Sequence, residues 1–186
     1  MGTLIKNIIR FCVILLIQVL ILNKVTLQWW AQPTGFPVFI PFLYPLFLLL
    51  LPFETPVAIV LLAGFLCGVT VDSFMNTAGM HAFAMVLIAY FRINVLNALM
   101  PKNLSEYTGQ TPSVKNMGWL PFVIYVSFLI VMHHAAFFII ELWSMQNIGY
   151  LMLKIFASAI TSILLILAYV LLFTRQAGSG KSQRII

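Results

Sequence analysis

Asp72 is the only aspartate of the chain, and it stands inside AGFLCGVTVDSFMNTAGMHAF, residues 63 to 83, a stretch otherwise apolar enough to dissolve in lipid. A charged side chain at bilayer depth costs about 2.5–3.5 kcal/mol even on the mildest scales, so an ionisable residue there is a functional candidate by default. Few other groups can hold or move a proton: Glu54, Glu106, Glu141, His81, His133 and His134 complete the acids and imidazoles. In MHHAAFFIIELW, His134 and Glu141 stand two turns apart on one helix face, a spacing able to relay a proton or contribute to a metal site. No H-E-x-x-H or comparable ligand spacing accompanies them, so hydrogen-bonded interior polar residues are expected at His133, His134 and Glu141. Arg92, with Asn94 and Asn97 below it, is a further candidate interior polar residue, expected to snorkel its guanidinium to the headgroups in preference to forming a buried structural pair. A G-x-S-x-G elbow and a pair of acids on one helix are both missing from the sequence, which argues against an enzyme and calls for no cofactor and no metal. His81, Asp72 and Glu141 share one outer layer, where a small polar pocket has room.

The elements that must position these residues follow from composition. Of 186 residues, 62% are hydrophobic and 8% charged, against about 25% charged in an average soluble domain. No soluble core absorbs that much Leu, Ile, Val and Phe, so the chain reads as an all-α integral membrane protein. Its net charge of +6 is scattered over helix ends rather than gathered into a patch, which points to membrane topology and away from nucleic acid. Cys12 and Cys67 sit in apolar runs as small hydrophobes, so no disulfide framework is implied. Lys6 and Arg10 precede an apolar run as in a signal peptide, but no small-x-small site follows before Lys24, and the segment reads as a retained first helix.

A crossing needs about 20 apolar residues, and six segments come close: 8–25, 36–53, 56–74, 80–100, 119–143 and 150–173. Together they make residues 1–173 a six-helix transmembrane domain. Pro41 and Pro45 should kink the second span, and Pro56 is suited to start the third. Trp29, Trp30, Trp119 and Trp143 have the positions of interfacial anchors. FETP and SFMNTAG are tight connections, and only residues 101–118 form a long loop. Six crossings put both termini on one side, with Lys6, Arg10, Lys102, Lys115, Arg175, Lys181 and Arg184, while Lys24 and Lys154 fall on the other. By the positive-inside rule the termini are cytoplasmic, and Asp72 and Glu141 face outward. Residues 174–186 read as a disordered cytoplasmic tail; its GSGKS has Arg175 where a phosphate-binding loop needs glycine.

Gly64, Gly68 and Asp72 are spaced by four on one face of the third span, a stripe of small residues suited to a close helix contact, within the bundle or with a partner. Asp72 lies about 16 residues, roughly 24 Å, beyond Pro56, at the outer boundary and not the midplane. There it can help cap the next helix, whose start also has Asn76 and Thr77 available as caps, with Gly79 and His81 completing the turn.

YPLFLLLLPFETP (44–56), GFLCGVTVDSFMNTAGMHAFAMVLIAYFR (64–92), HHAAFFIIELW (133–143) and the start TLIKNIIRF resemble the MreD family of rod shape-determining proteins, in the form found in Bacteroidetes-like bacteria. The most specific part is G-x-x-x-D followed by N-T-x-G-x-H-A. Ile93 departs from the subgroup, which more usually has proline after the arginine. The resemblance implies a non-enzymatic protein of the bacterial cytoplasmic membrane that acts in the elongasome. Its implied partners are an MreC-like bitopic membrane protein and, through it, MreB, RodA and a class B penicillin-binding protein. It also implies a fold like the S-components of energy-coupling-factor transporters. A vitamin-binding S-component is the alternative function, and the absence of any alanine in IIRFCVILLIQVLILNKV, where such proteins carry an A-x-x-x-A stripe, counts against it.

Overall fold

The computed structural model describes residues 3–24, 39–101, 103–141 and 148–174. Trp29, Trp30, Trp143, Lys102 and the tail beyond Thr174 therefore lie outside the described residues. Every regular element described is helical: α1 (Thr3–Ile17), running on through a π-helical turn (Gln18–Leu22), α2 (Pro45–Leu49), α3 (Val57–Met75), α4 (Met80–Leu99), α5 (Val114–Met117), α6 (Trp119–Glu141) and α7 (Ile148–Thr174), with a 3₁₀ turn at Leu104–Tyr107.

Four of these, α3, α4, α6 and α7, are long and apolar enough to cross a membrane. With 19, 20, 23 and 27 residues they are about 28–40 Å long, enough for a hydrocarbon core of about 30 Å. They pack in chain order, α3 on α4, α4 on α6 and α6 on α7. Half of the membrane window of α6 is buried, against a third for α3 and α7, so α6 stands at the centre. The apolar part of α1, Ile9–Leu22, is shorter than a full span. It lies against α2 and, through the π-helical turn, against α3.

The second expected span is not a kinked helix. Residues 39–43 belong to no helix or strand, their backbone hydrogen bonds alternating as in an extended run; Tyr44 turns, and only Pro45–Leu49 are helical before the chain turns again at Leu50. Proline explains the break, since Pro41 and Pro52 lack an amide hydrogen and disfavour helical backbone in the residue before them, while Pro45 falls at the first position of α2, where a helix can begin but not continue from before. Such backbone survives at membrane depth only where protein satisfies it, and this segment is almost wholly buried, Phe42, Tyr44, Leu46, Leu48 and Leu49 completely so. The loop from 101 to 118 folds beneath it, with Phe53 donating its N–H to Gln110 (3.0 Å) and its ring set 5.2 Å from that of Tyr107.

Candidate functional site

The polar side chains inside the bundle converge on the broken segment. In extended backbone, alternate residues point their N–H and C=O groups to opposite sides. On one side the N–H groups of Ile40 and Phe42 donate to Ser158 (3.0 Å) and Ser162 (2.8 Å) of α7, which are four apart and so share a face. On the other side the Gln18 carboxamide donates to Pro41 O (3.2 Å) and accepts from Leu43 N–H (2.7 Å), as a neighbouring strand would. The missing amide of Pro41 would have pointed to that second side, where it leaves no donor stranded.

The carbonyls at the end of α2 are claimed by donors from three other helices. Leu49 O accepts from Tyr125 Oη (2.9 Å), and Leu50 O from Arg10 Nη1 (3.2 Å). Leu51 O and Pro52 O accept from Arg92 Nη2. Two guanidiniums thus meet the negative end of a helix and the carbonyls that follow it, of which Pro52 O also accepts from the N–H and hydroxyl of Thr55. Arg92 is 1% exposed, so the expected snorkel to the headgroups is overturned. These carbonyls would cost free energy if left dry.

Phe42 projects from the extended run into a nest of rings. His81, His134 and Phe137 lie 5.1–5.2 Å from its centroid, and Tyr44 and His133 5.7 Å. Tyr44 Oη bridges two imidazoles, His81 Nδ1 at 2.7 Å and His133 Nε2 at 2.6 Å. His134 Nδ1 bonds the carbonyl of Ile130 (2.8 Å), and its Nε2 meets Ser162 Oγ (3.1 Å). All three histidines are fully buried, and the outer nitrogens His81 Nε2 and His133 Nδ1 have no partner among the described residues.

The hairpin between α3 and α4 uses the sequence candidates in a different division of labour. A Cβ at Gly68 would lie 2.3 Å from Ala82 Cα, and one at Gly64 would lie 3.1 Å from Met85 O. The glycine stripe is therefore covered by α4 of the same chain, which leaves it no face for a partner. Asp72 accepts from the N–H groups of His81 (3.1 Å) and Ala82 (2.9 Å) and from the Thr77 hydroxyl. The cap of α4 is thus a carboxylate reaching across from α3. Asn76 does not cap α4; it ends α3 in the left-handed region (φ 58°), and Gly79, at φ 82°, is the N-cap residue. Thr77 steadies Asp72 through its hydroxyl, and its carbonyl accepts from Gly79 N–H (3.0 Å). Over this turn lies an open crevice of ≈ 480 Å³ lined by Val69, Asp72, Ser73, Asn76, Thr77, Ala78 and Gly79.

His134 and Glu141 do share a face, but it is the one packed on α7, and it holds them apart. His134 meets Ser162, whereas Glu141 pairs with the buried Lys154, whose ammonium also lies 4.7 Å above the Phe138 ring. Glu141 is thus engaged with α7, and the crevice at the α3–α4 turn is lined by Asp72 but by neither His81 nor Glu141. Among the described residues, no three His, Cys, Asp or Glu side chains gather as a metal site.

Sequence reasoning missed Gln18, Tyr44, Tyr125, Ser158, Ser162 and Lys154. Their signal was each one's isolation as a polar residue in an apolar run, with Ser158 and Ser162 a further pair at helical spacing. No family model matches the chain, and it matches neither a curated protein nor a solved structure.

Proposed function

We propose that this chain is a non-enzymatic membrane scaffold of the MreD type, which binds an MreC-like bitopic protein and helps couple MreB to lateral wall synthesis by RodA and its penicillin-binding partner. In this reading it sits in the bacterial cytoplasmic membrane with six crossings, α1 and the broken segment 39–53 adding to the four long helices, in an arrangement like the S-components. Both termini are cytoplasmic.

The observation that carries the reading is the use made of the most specific part of the resemblance. Gly68 admits Ala82, Asp72 caps α4, Thr77 steadies Asp72, Gly79 supplies the turn and His81 bonds the broken segment through Tyr44. Each signature residue holds backbone in place, as a scaffold requires. The test is co-purification in detergent with the MreC-like protein encoded by the same cell. Stable retention is expected, and repeated failure to retain it removes the basis of the reading.

The unpartnered nitrogens of His81 and His133 favour solute binding as a second reading. A panel of vitamin-like solutes should leave the thermal unfolding temperature unchanged if the scaffold reading is right; a rise with one of them would favour transport.

A further inference from the structure

Arg10 of α1 and Arg92 of α4 hold neighbouring peptide units. Arg10 Nη1 donates to Leu50 O (3.2 Å), and Arg92 Nη2 donates to Leu51 O and to Pro52 O. Two full positive charges are thereby drawn together, and the backbone dipoles they hold offset only part of their repulsion. Neither arginine is paired with a carboxylate among the described residues: Glu141 is taken by Lys154, Asp72 by the α3–α4 turn, Glu106 has a contact of its own, and the exposed Glu54 reaches neither guanidinium. The two differ in access. Arg92 is 1% exposed, and its Nε is sealed without a partner. Arg10 is half-buried and bonds only through Nη1, and none of its remaining N–H groups is sealed in that way. It therefore keeps an open edge of its fork, which is the geometry that takes two oxygens of a phosphate.

The depth of this edge also suits a headgroup. Ile9 and Val13, beside Arg10 on α1, are exposed apolar residues, so acyl chains run along this face. Leu50–Pro52 lead into the turn 53–56, where Glu54 and Pro56 are exposed, and α3 begins at Val57. Because α3 is about 28 Å long and only just crosses the hydrocarbon, its first residues and that turn stand at headgroup level. We propose that Arg10, backed by the charge of Arg92, binds the phosphodiester of an anionic phospholipid in the leaflet on the side of this turn. The lipid supplies the counter-charge that the described residues do not. A zwitterionic headgroup would bring its own ammonium against the two guanidiniums, so one of net negative charge is selected. Basic pockets between spanning helices hold such headgroups on the cytoplasmic side, where the proposed orientation puts this turn. The bond to Leu50 O fixes one nitrogen of Arg10 and so orients the rest of the fork before the lipid arrives. The inference requires a membrane and does not depend on which partner the chain scaffolds.

In the experiment the full chain, purified in detergent, is given phosphatidylglycerol or phosphatidylcholine; bound lipid is counted by native mass spectrometry, with thermal unfolding as a second readout. Phosphatidylglycerol should bind about tenfold tighter, the equivalent of one charge-assisted pair. Arg10→Gln should erase that preference, while Lys115→Gln, which removes an exposed charge from the loop on the same side, should leave it intact. Arg10→Lys keeps the charge without the fork and should retain only part of it. If the glutamine variant does not fold, lysine decides: an undiminished preference overturns the proposal. Equal binding of the two lipids overturns it as well. A preference lost in Lys115→Gln but kept in Arg10→Gln assigns it to diffuse surface charge and overturns the site. Sodium phosphate at matched concentration should neither raise the melting temperature nor displace the lipid; if it does both, the site belongs to soluble phosphate and the lipid proposal falls.

Discussion

At Gly68 the backbone of α4 leaves no space for a methyl group, the added carbon falling 2.3–2.8 Å from three backbone atoms of His81 and Ala82. Gly68→Ala should therefore cost more than the roughly 1–3 kcal/mol of ordinary overpacking. Gly64→Ala meets its neighbours at 3.1–3.3 Å, one of them a leucine methyl, and regains about 1 kcal/mol of helix propensity. It should stay close to wild type. Thermal unfolding in detergent separates the two, and equal melting temperatures would show that α4 does not pack as described. Asp72→Ala strands the N–H groups of His81 and Ala82, and a loss of roughly 2–4 kcal/mol is expected from the lost cap and its charge-assisted bonds. Asp72→Asn, which keeps one acceptor oxygen, should lose less, and an unchanged melt for Asp72→Ala would rule out the cap.

The broken segment 39–53 is held by side chains where a regular element would hold itself, and this makes it separately vulnerable. Gln18→Leu removes both partners of the Pro41–Leu43 backbone and should cost about 1–3 kcal/mol for each group left dry. Arg92→Lys keeps the charge but is one atom shorter than the reach of Nη2, the single nitrogen that meets both carbonyls, so it should fall between wild type and Arg92→Leu in thermal stability. If lysine serves as well as arginine, the carbonyl contacts are dispensable. How far the sequence revealed this element can be judged at individual positions. The prolines announced that no straight helix could form, and α3, α4, α6 and α7 each fell within about two residues of their expected bounds. The extended conformation was not legible, because the groups that permit it lie 118 and 120 residues away at Ser158 and Ser162. Arg92 was misjudged for the same reason: a local pattern shows a cation near a helix end, while its acceptors belong to backbone 41 residues away. Asp72 was more accessible, since its partners are nine and ten residues on.

For the molecule as a whole, the proposed orientation places the turn at 76–79 outside and the loop at 101–118 inside. In a protein with Cys12 and Cys67 replaced, a cysteine at Ala78 should react with a membrane-impermeant maleimide in intact cells, and one at Glu106 only after the membrane is opened. The reverse pattern would invert the topology. The bundle's stability is divided between its two halves. α3 and α4 are joined by the Asp72 cap, α6 and α7 by the Glu141–Lys154 pair, and Tyr44 ties one half to the other through His81 and His133.

That tyrosine has one hydrogen to give and two imidazoles to satisfy. If both rings are neutral, Tyr44 donates to one and must receive from the other, so the two histidines are always opposite tautomers with respect to it. Whichever way the hydroxyl turns, one of the outward nitrogens, His81 Nε2 or His133 Nδ1, carries a proton and the other a lone pair. Handing protons along the row reverses this polarity only if one outward nitrogen releases a proton and the other takes one up; both are buried and unpartnered among the described residues, so the polarity stays fixed while the core is dry. Phenylalanine in place of Tyr44 would sever that row and leave the two rings free to choose their tautomers independently.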